Sequence, residues 1–242
     1  MNKRRFCRAV LLLGTVCLLA VGACGLWLRS YRRQEALNRQ LIAALVNHDP
    51  KLALVLVNAG ADPNTPLKPS PPSLKLLWNR LVHRTALPRN DTPSAFLLAC
   101  GAFIPNVPDA RLLGLKTDEP HLVETMLQHG AQKNAKDSQG MTTLLWSVVG
   151  KHPKTVDVLL NHGVDVNAQG GDGYTALCWA LLDSSAHNLS ERSESANLVR
   201  KLLAHGADSN LPDWEGTTPL QWADANNRPD LVALLKQAGA KK

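Results

Sequence analysis

The strongest constraint on this 242-residue chain is a phrase that returns. "AGADPN" at 59–64, "HGAQKN" at 129–134, "HGVDVN" at 162–167 and "HGADSN" at 205–210 share one glycine-led pattern, and the chain closes on "AGAKK". The phrase glycines are Gly60, Gly130, Gly163, Gly206 and Gly239, spaced 70, 33, 43 and 33 residues apart. A second mark, Gly-x-Thr, ends at Thr142, Thr175 and Thr218, each 12 residues past a phrase glycine. From Thr142 and Thr218 to the next phrase glycine is 21 residues, so the unit is 33 residues long. The longer steps are the same unit carrying insertions, with Thr92-Pro93 read as the corresponding mark after Gly60. This gives five units and insertions near 65–91, 102–118 and 184–193.

A third mark checks the register. Ten residues before the phrase glycine stand Pro50, Pro120, Pro153 and Pro229; the fourth unit has Ala196 there. Proline has no N–H to lose in the first turn of a helix, and its fixed φ suits that place. A helix is therefore expected from each proline to just before the glycine, with the glycine as its left-handed stop. Ala53, Val123, Val156, Val199 and Val232 lie seven residues before the glycine. Leu56, Met126, Leu159, Leu202 and Leu235 lie four before it. That spacing marks one buried face of a short helix.

A 33-residue period with "GTTPLQWA" at 216–223, "AKDSQGMTTLLWS" at 135–147 and the Gly-Ala-Asp-x-Asn phrase resembles the ankyrin repeat. The resemblance runs from near Arg39 to the end of the chain. It implies an all-α solenoid of helix-turn-helix units, paired antiparallel helices joined by hairpin-like turns. It also implies that the first helix of each unit lines the concave side, the usual partner surface. The family's "TPLH" histidine is absent, its positions being read as Ala95, Leu145, Cys178 and Gln221. The first unit has no Thr-Pro, although Leu41 and Ala44 fit a first helix, and it is expected to cap the array.

Ahead of the array the chain is different. Ala9 to Leu28, "AVLLLGTVCLLAVGACGLWL", is twenty residues without a charge, long enough as a helix to match the ~30 Å hydrocarbon core of a bilayer. Residues 1–33 hold seven lysines and arginines and no acid, which accounts for the whole formal charge of +7. The remainder is neutral overall and has no global field to draw phosphates, so no nucleic-acid partner is expected. We divide the chain into a transmembrane or signal-anchor segment, 1–33, and a repeat domain, 34–242. Three forms of the leader stay open: an uncleaved anchor, a signal peptide cut after Val21-Gly22-Ala23, and a lipoprotein signal with Cys24 as the lipidated residue. The apolar "GLWL" that continues past the site favours the anchor. The short basic N-terminus favours staying inside, which would put the repeat domain on the extracytoplasmic side, periplasmic in a bacterium. No glycine or proline lies between Gly25 and Pro50, so the spanning helix is expected to run on into the first repeat.

Candidate functional residues follow from the register. Four residues past each repeat threonine lie Phe96, Trp146, Trp179 and Trp222. An aromatic at one position of successive units forms a row, either a binding strip or filling between repeats. Trp214, between Asp213 and Glu215 at a turn tip, is expected to touch a partner. The insertion 65–91 is basic, and Leu74, Leu77, Trp78 and Leu81 form an apolar stripe with Lys75, Arg80 and Arg84 outside it. Such a helix either lies on anionic lipid, with Lys75, Trp78, Arg80 and Arg84 at the membrane surface, or covers exposed core.

His129, His162 and His205 also form a row. At helix spacing they are awkward for a shared metal and are read as polar residues near helix ends. Cys100 and Cys178 are read as small buried residues. The chain has no metalloprotease, hydrolase, Walker or dinucleotide-binding motif. The expected function is a membrane-anchored scaffold that binds another protein, without catalysis, metal or cofactor. The alternative is an envelope-associated structural or protective factor whose insertion 65–91 docks on the membrane.

Overall fold

The computed structural model describes residues 3–67, 93–102, 115, 117–182 and 189–241. Ten helices occur among them: α1 Lys3–Val46, α2 Pro50–Asn58, α3 Ala95–Ala99, α4 Pro120–Gln128, α5 Thr143–Val149, α6 Pro153–Asn161, α7 Ala176–Leu182, α8 Leu189–Ala204, α9 Pro219–Ala225 and α10 Pro229–Gln237. They pair into five units, the first made of the C-terminal part of α1 with α2. First helices α1, α3, α5, α7 and α9 pack on one another in chain order. Second helices form the other layer, with α6 and α8 joined by an ion pair of Lys201 with Asp157, 2.6 Å. One apolar core runs down the row from Leu41 to Leu235.

Each unit is punctuated by the residues that recur. Thr142 accepts a hydrogen bond from the Leu145 amide and caps α5. Thr218 does the same for Gln221 and α9, and the Gln221 side chain returns to the Thr218 amide, 2.9 Å, completing a capping box. Gln221, at the position of the missing histidine, thus closes the cap of its own helix. Pro50, Pro120, Pro153 and Pro229 are the first residues of α2, α4, α6 and α10. The phrase glycines all take positive φ, from 65° at Gly163 to 96° at Gly60, a conformation costly for any residue with a Cβ. Between the two helices of a unit the chain turns on a single left-handed residue, His48, Lys151 or Asn227.

Two boundaries differ from expectation. The first is in the second unit, where the residue that caps the first helix is Ser94, whose hydroxyl accepts from the Leu97 amide. The antiparallel bridge Pro66–Ser94 matches the bridge Lys136–Thr142, so Ser94 stands where Thr142 stands. The register read from Thr92-Pro93 is therefore two residues out, and the histidine position belongs to Leu97, not Ala95. The second is α8, which begins at Leu189, seven residues before Ala196. Ala196 keeps its N–H and has no ring to clash, so nothing stops the helix at the place proline stops the others. Residues 189–193 of the third insertion are thus helix; 184–188 lie outside the described residues. Most of the insertion near 102–118 lies outside them too.

Helix α1 is 44 residues long and contains all of Ala9–Leu28. Its C-terminal part joins the core through Leu41, Ala44 and Leu45. The side chains of 9–21, Ala23 and Cys24 lie outside the described residues, and with them the proposed cleavage site and lipidation cysteine. Among the described residues no helix is long and apolar enough to cross a membrane.

Candidate partner-binding face

The turns that open the third and fifth units are built on an aspartate. Asp137 Oδ1 accepts from the amides of Gln139 and Met141, 2.9 Å each, and Oδ2 accepts from the Trp146 indole nitrogen, 2.8 Å. The carboxylate therefore ties the turn to the helix behind it. Asp213 repeats the arrangement with the amides of Glu215 and Thr217. In the fourth unit Gly170 occupies this position, and the buried Trp179 Nε1 has no hydrogen-bond partner. The Trp179 ring meets Tyr174 instead, centroids 5.5 Å apart and tilted by 59°.

Neighbouring turns are fastened together. Gln169 Nε2 donates to the carbonyls of Gly173, 2.9 Å, and Pro212, 3.1 Å. Gly173 has φ +75°, and a Cβ there would come within 3.0 Å of the Trp214 backbone nitrogen. Trp214 is thus seated by its backbone while its ring stays outside, 67% exposed. The aromatic positions divide accordingly. Trp214 is exposed; Trp179 and Trp222 are half-buried on the first-helix side and packed against the core. Trp146 is buried, 7% exposed, as a core residue bonded to Asp137.

Phe96 is not part of the row. With Ser94 as the cap, the fourth residue past it is Leu98, and Phe96 matches Leu144, Leu177 and Leu220, all core residues. Phe96 is fully buried, so it offers no surface to a partner. Lys75, Trp78, Arg80 and Arg84 lie outside the described residues.

The phrase asparagines join neighbouring units, a role that the sequence alone does not assign them. Asn64 donates to Gly130 O and accepts from the Gln132 amide. Asn134 accepts from the Asp165 amide. Asn167 donates to Gly206 O and accepts from the Asp208 amide. Asn210 donates to Gly239 O and accepts from the Lys241 amide. Each joins its own phrase to the next, so the ladder runs the length of the array. At its start α1 supplies the amides: Gln34 donates to Gly60 O, 2.7 Å, and Asn38 accepts from the Asp62 amide, 2.9 Å. The aspartates of the phrase fold it locally, as Asp208 does by accepting from the Asn210 amide, 2.8 Å.

The histidine row is structural. His129 and His205 each place Nδ1 2.9 Å from the carbonyl four residues back, those of Thr125 and Lys201. His162 Nε2 lies 2.9 Å from Glu124 Oε2, and this contact holds the Glu124 carboxyl below its ordinary value. Among the described residues no three His, Cys, Asp or Glu side chains stand where they could hold a metal ion. Cys100 and Cys178 are buried and free; burial pushes the Cys100 thiol up to about 12, which keeps it a thiol and a poor nucleophile.

Residues 115–191 match the family model for ankyrin repeats (3 copies). Over these residues the chain consists of ankyrin repeats, and the stacked helix pairs with their left-handed glycines on either side share the same fold. A solved ankyrin repeat domain from Acinetobacter baumannii AYE is similar over 81% of this chain and 78% of its own, at 26% identity and a TM-score of 0.57. None of the curated proteins matches the sequence. Ankyrin repeats imply a protein–protein interaction scaffold, and the fold is one that typically carries no catalysis.

Proposed function

We propose that the protein is a membrane-anchored scaffold that holds a partner protein against the first-helix side and turn tips of its ankyrin repeats. The observation that carries the binding face is Trp214. A large ring stands in solvent on a turn whose backbone is fixed by Asp213, Gly173 and Gln169. Side chains of this kind, amphipathic and presented on a fixed backbone, are enriched among the residues that dominate interface energetics.

Anchoring rests on the leader. Twenty uncharged residues lie within one unbroken helix. At their C-terminal end Trp27 stacks on Tyr31, centroids 5.6 Å apart, beside Arg29, Arg32 and Arg33. Aromatic rings beside arginines are what a helix carries where it leaves a bilayer. The repeat domain lies on the extracytoplasmic side in this reading.

Membranes prepared from expressing cells test the anchor: the full chain should stay in the pellet through alkaline carbonate washing, and release into the supernatant would refute it. Protease added to intact cells tests the side, since an extracytoplasmic repeat domain is digested once the outer barrier is opened, before the inner membrane is broken.

A further inference from the structure

Charge is segregated along the partner face. Residues 169–182 and 211–226 make the turns and first helices of the fourth and fifth units. They contain Asp172, Asp213, Glu215 and Asp224 and not one lysine or arginine. The same two stretches carry Tyr174, Trp179, Trp214 and Trp222. In the third unit the turn is balanced, with Lys136 beside Asp137. The basic residues of the second helices lie on the other layer, Arg192, Arg200 and Lys201 in α8 and Lys236 in α10, while Arg228, in the connection between α9 and α10, is buried and paired with Asp230. The repeat domain is neutral as a whole, so this is a local separation and not a consequence of composition.

Such a face discriminates by chemistry. An aromatic ring offers a cation its negative π-surface, and carboxylates nearby add attraction that survives partial desolvation. An acidic partner is repelled, and an apolar one strips water from carboxylates without replacing it. We propose that the turns and first helices of the fourth and fifth repeats bind a lysine- or arginine-bearing segment of a partner protein. The cation stacks on the Trp214 ring, Glu215 beside it supplies the counter-charge, and Asp224 on the first helix of the same unit adds to the acidic field of the face. This rests on the reading of the first-helix side and turn tips as the partner face.

The test uses the full chain in detergent, panned against a library of random dodecamer peptides, with selected peptides then titrated by fluorescence anisotropy. Trp214→Ala removes the ring. Glu215→Gln together with Asp224→Asn removes two exposed charges without changing shape; Asp213 is left alone because it holds its turn. The expected result is enrichment of lysine and arginine, affinity at least about tenfold weaker in Trp214→Ala, and about fivefold weaker in the charge variant at low salt. Unchanged melting of both variants shows that folding is not the cause. Selection of uncharged or acidic peptides that still depend on Trp214 overturns the cationic partner and leaves the binding face standing. Selected peptides indifferent to every substitution overturn the face itself. Tighter competition by a peptide of this chain's own basic residues 65–91 assigns the site to a second copy and overturns a foreign partner.

Discussion

His152 shows how one side chain carries a pH response in this fold. It precedes Pro153, sits only 3% exposed, and its Nδ1 has no partner. Gly101 and Gly150 lie against the ring, so close that a Cβ at either would meet it at 3.3 Å. Burial disfavours the imidazolium and lowers the pKa below the ordinary 6.5, with Asp118 opposing in part. The folded chain therefore binds fewer protons here than the unfolded one. Its contribution to stability is present above about 6.5 and is lost as pH falls through the lowered value. His152→Asn has no proton to take up. Urea unfolding midpoints at about pH 7.5 and about pH 5.5 should fall further in the wild type than in the variant, and equal falls would rule His152 out. Nothing in the sequence marked this residue, because burial of a non-repeating histidine depends on what packs over it. The aromatic row divided for the same reason, Trp146 buried and Trp179 and Trp222 half-buried. Helical spacing says which residues share a face, whereas the covering of Trp146 goes with its bond to Asp137, which the spacing does not weigh.

At the scale of the element, the proline, threonine and glycine marks were readable because each acts on its own backbone. Pro153 at the start of α6 and Gly163 past its end need no knowledge of neighbours. Ser94 was missed because serine and threonine cap equally well, and Thr92 and Ser94 lie two residues apart beside an insertion that loosens the count. The asparagine ladder was visible only as a repeated letter, since its partners lie 29 to 68 residues away. Its worth can be measured. Asn167→Ala removes the bonds to Gly206 O and the Asp208 amide, both near solvent, and should cost about 1–2 kcal/mol. Amide exchange at Asp208 should quicken while that at Gln132, held by Asn64, does not; an unchanged unfolding midpoint would make the ladder ornamental. Ala196→Pro tests the other boundary. Ala196 is interior to α8, so proline there removes a helical hydrogen bond and should cost about 3 kcal/mol with visible loss of helicity. Proline is accommodated at Pro153 because that residue opens its helix.

For the whole molecule, the question is whether leader and array move together. A stack of repeats is stabilised by neighbours, and its ends lack one. At the C-terminal end Val232 is only half-buried, whereas Val123, Val156 and Val199 at the same position are buried. At the N-terminal end Leu52 and Val55 of α2 face solvent, but α1 does for the first phrase what a preceding asparagine does for the others. Gln34 and Asn38 bond Gly60 and Asp62, while Leu41, Ala44 and Leu45 of the same helix enter the core. With no glycine or proline from Leu26 to Asp49, bending requires breaking helix hydrogen bonds. Any tilt of the leader is therefore transmitted to the turn tips. Replacing both Gln34 and Asn38 by alanine removes two bonds of about 0.5–1.5 kcal/mol each. Exchange at the amides of Gly60 to Asp62 and across residues 29–38 should then quicken by about ten- to a hundredfold. Amides of 41–46, held by the core, should change little. Rapid exchange across 29–38 already in the wild type would mean the leader swings freely, and the array would have to find its partner without a fixed orientation to the membrane.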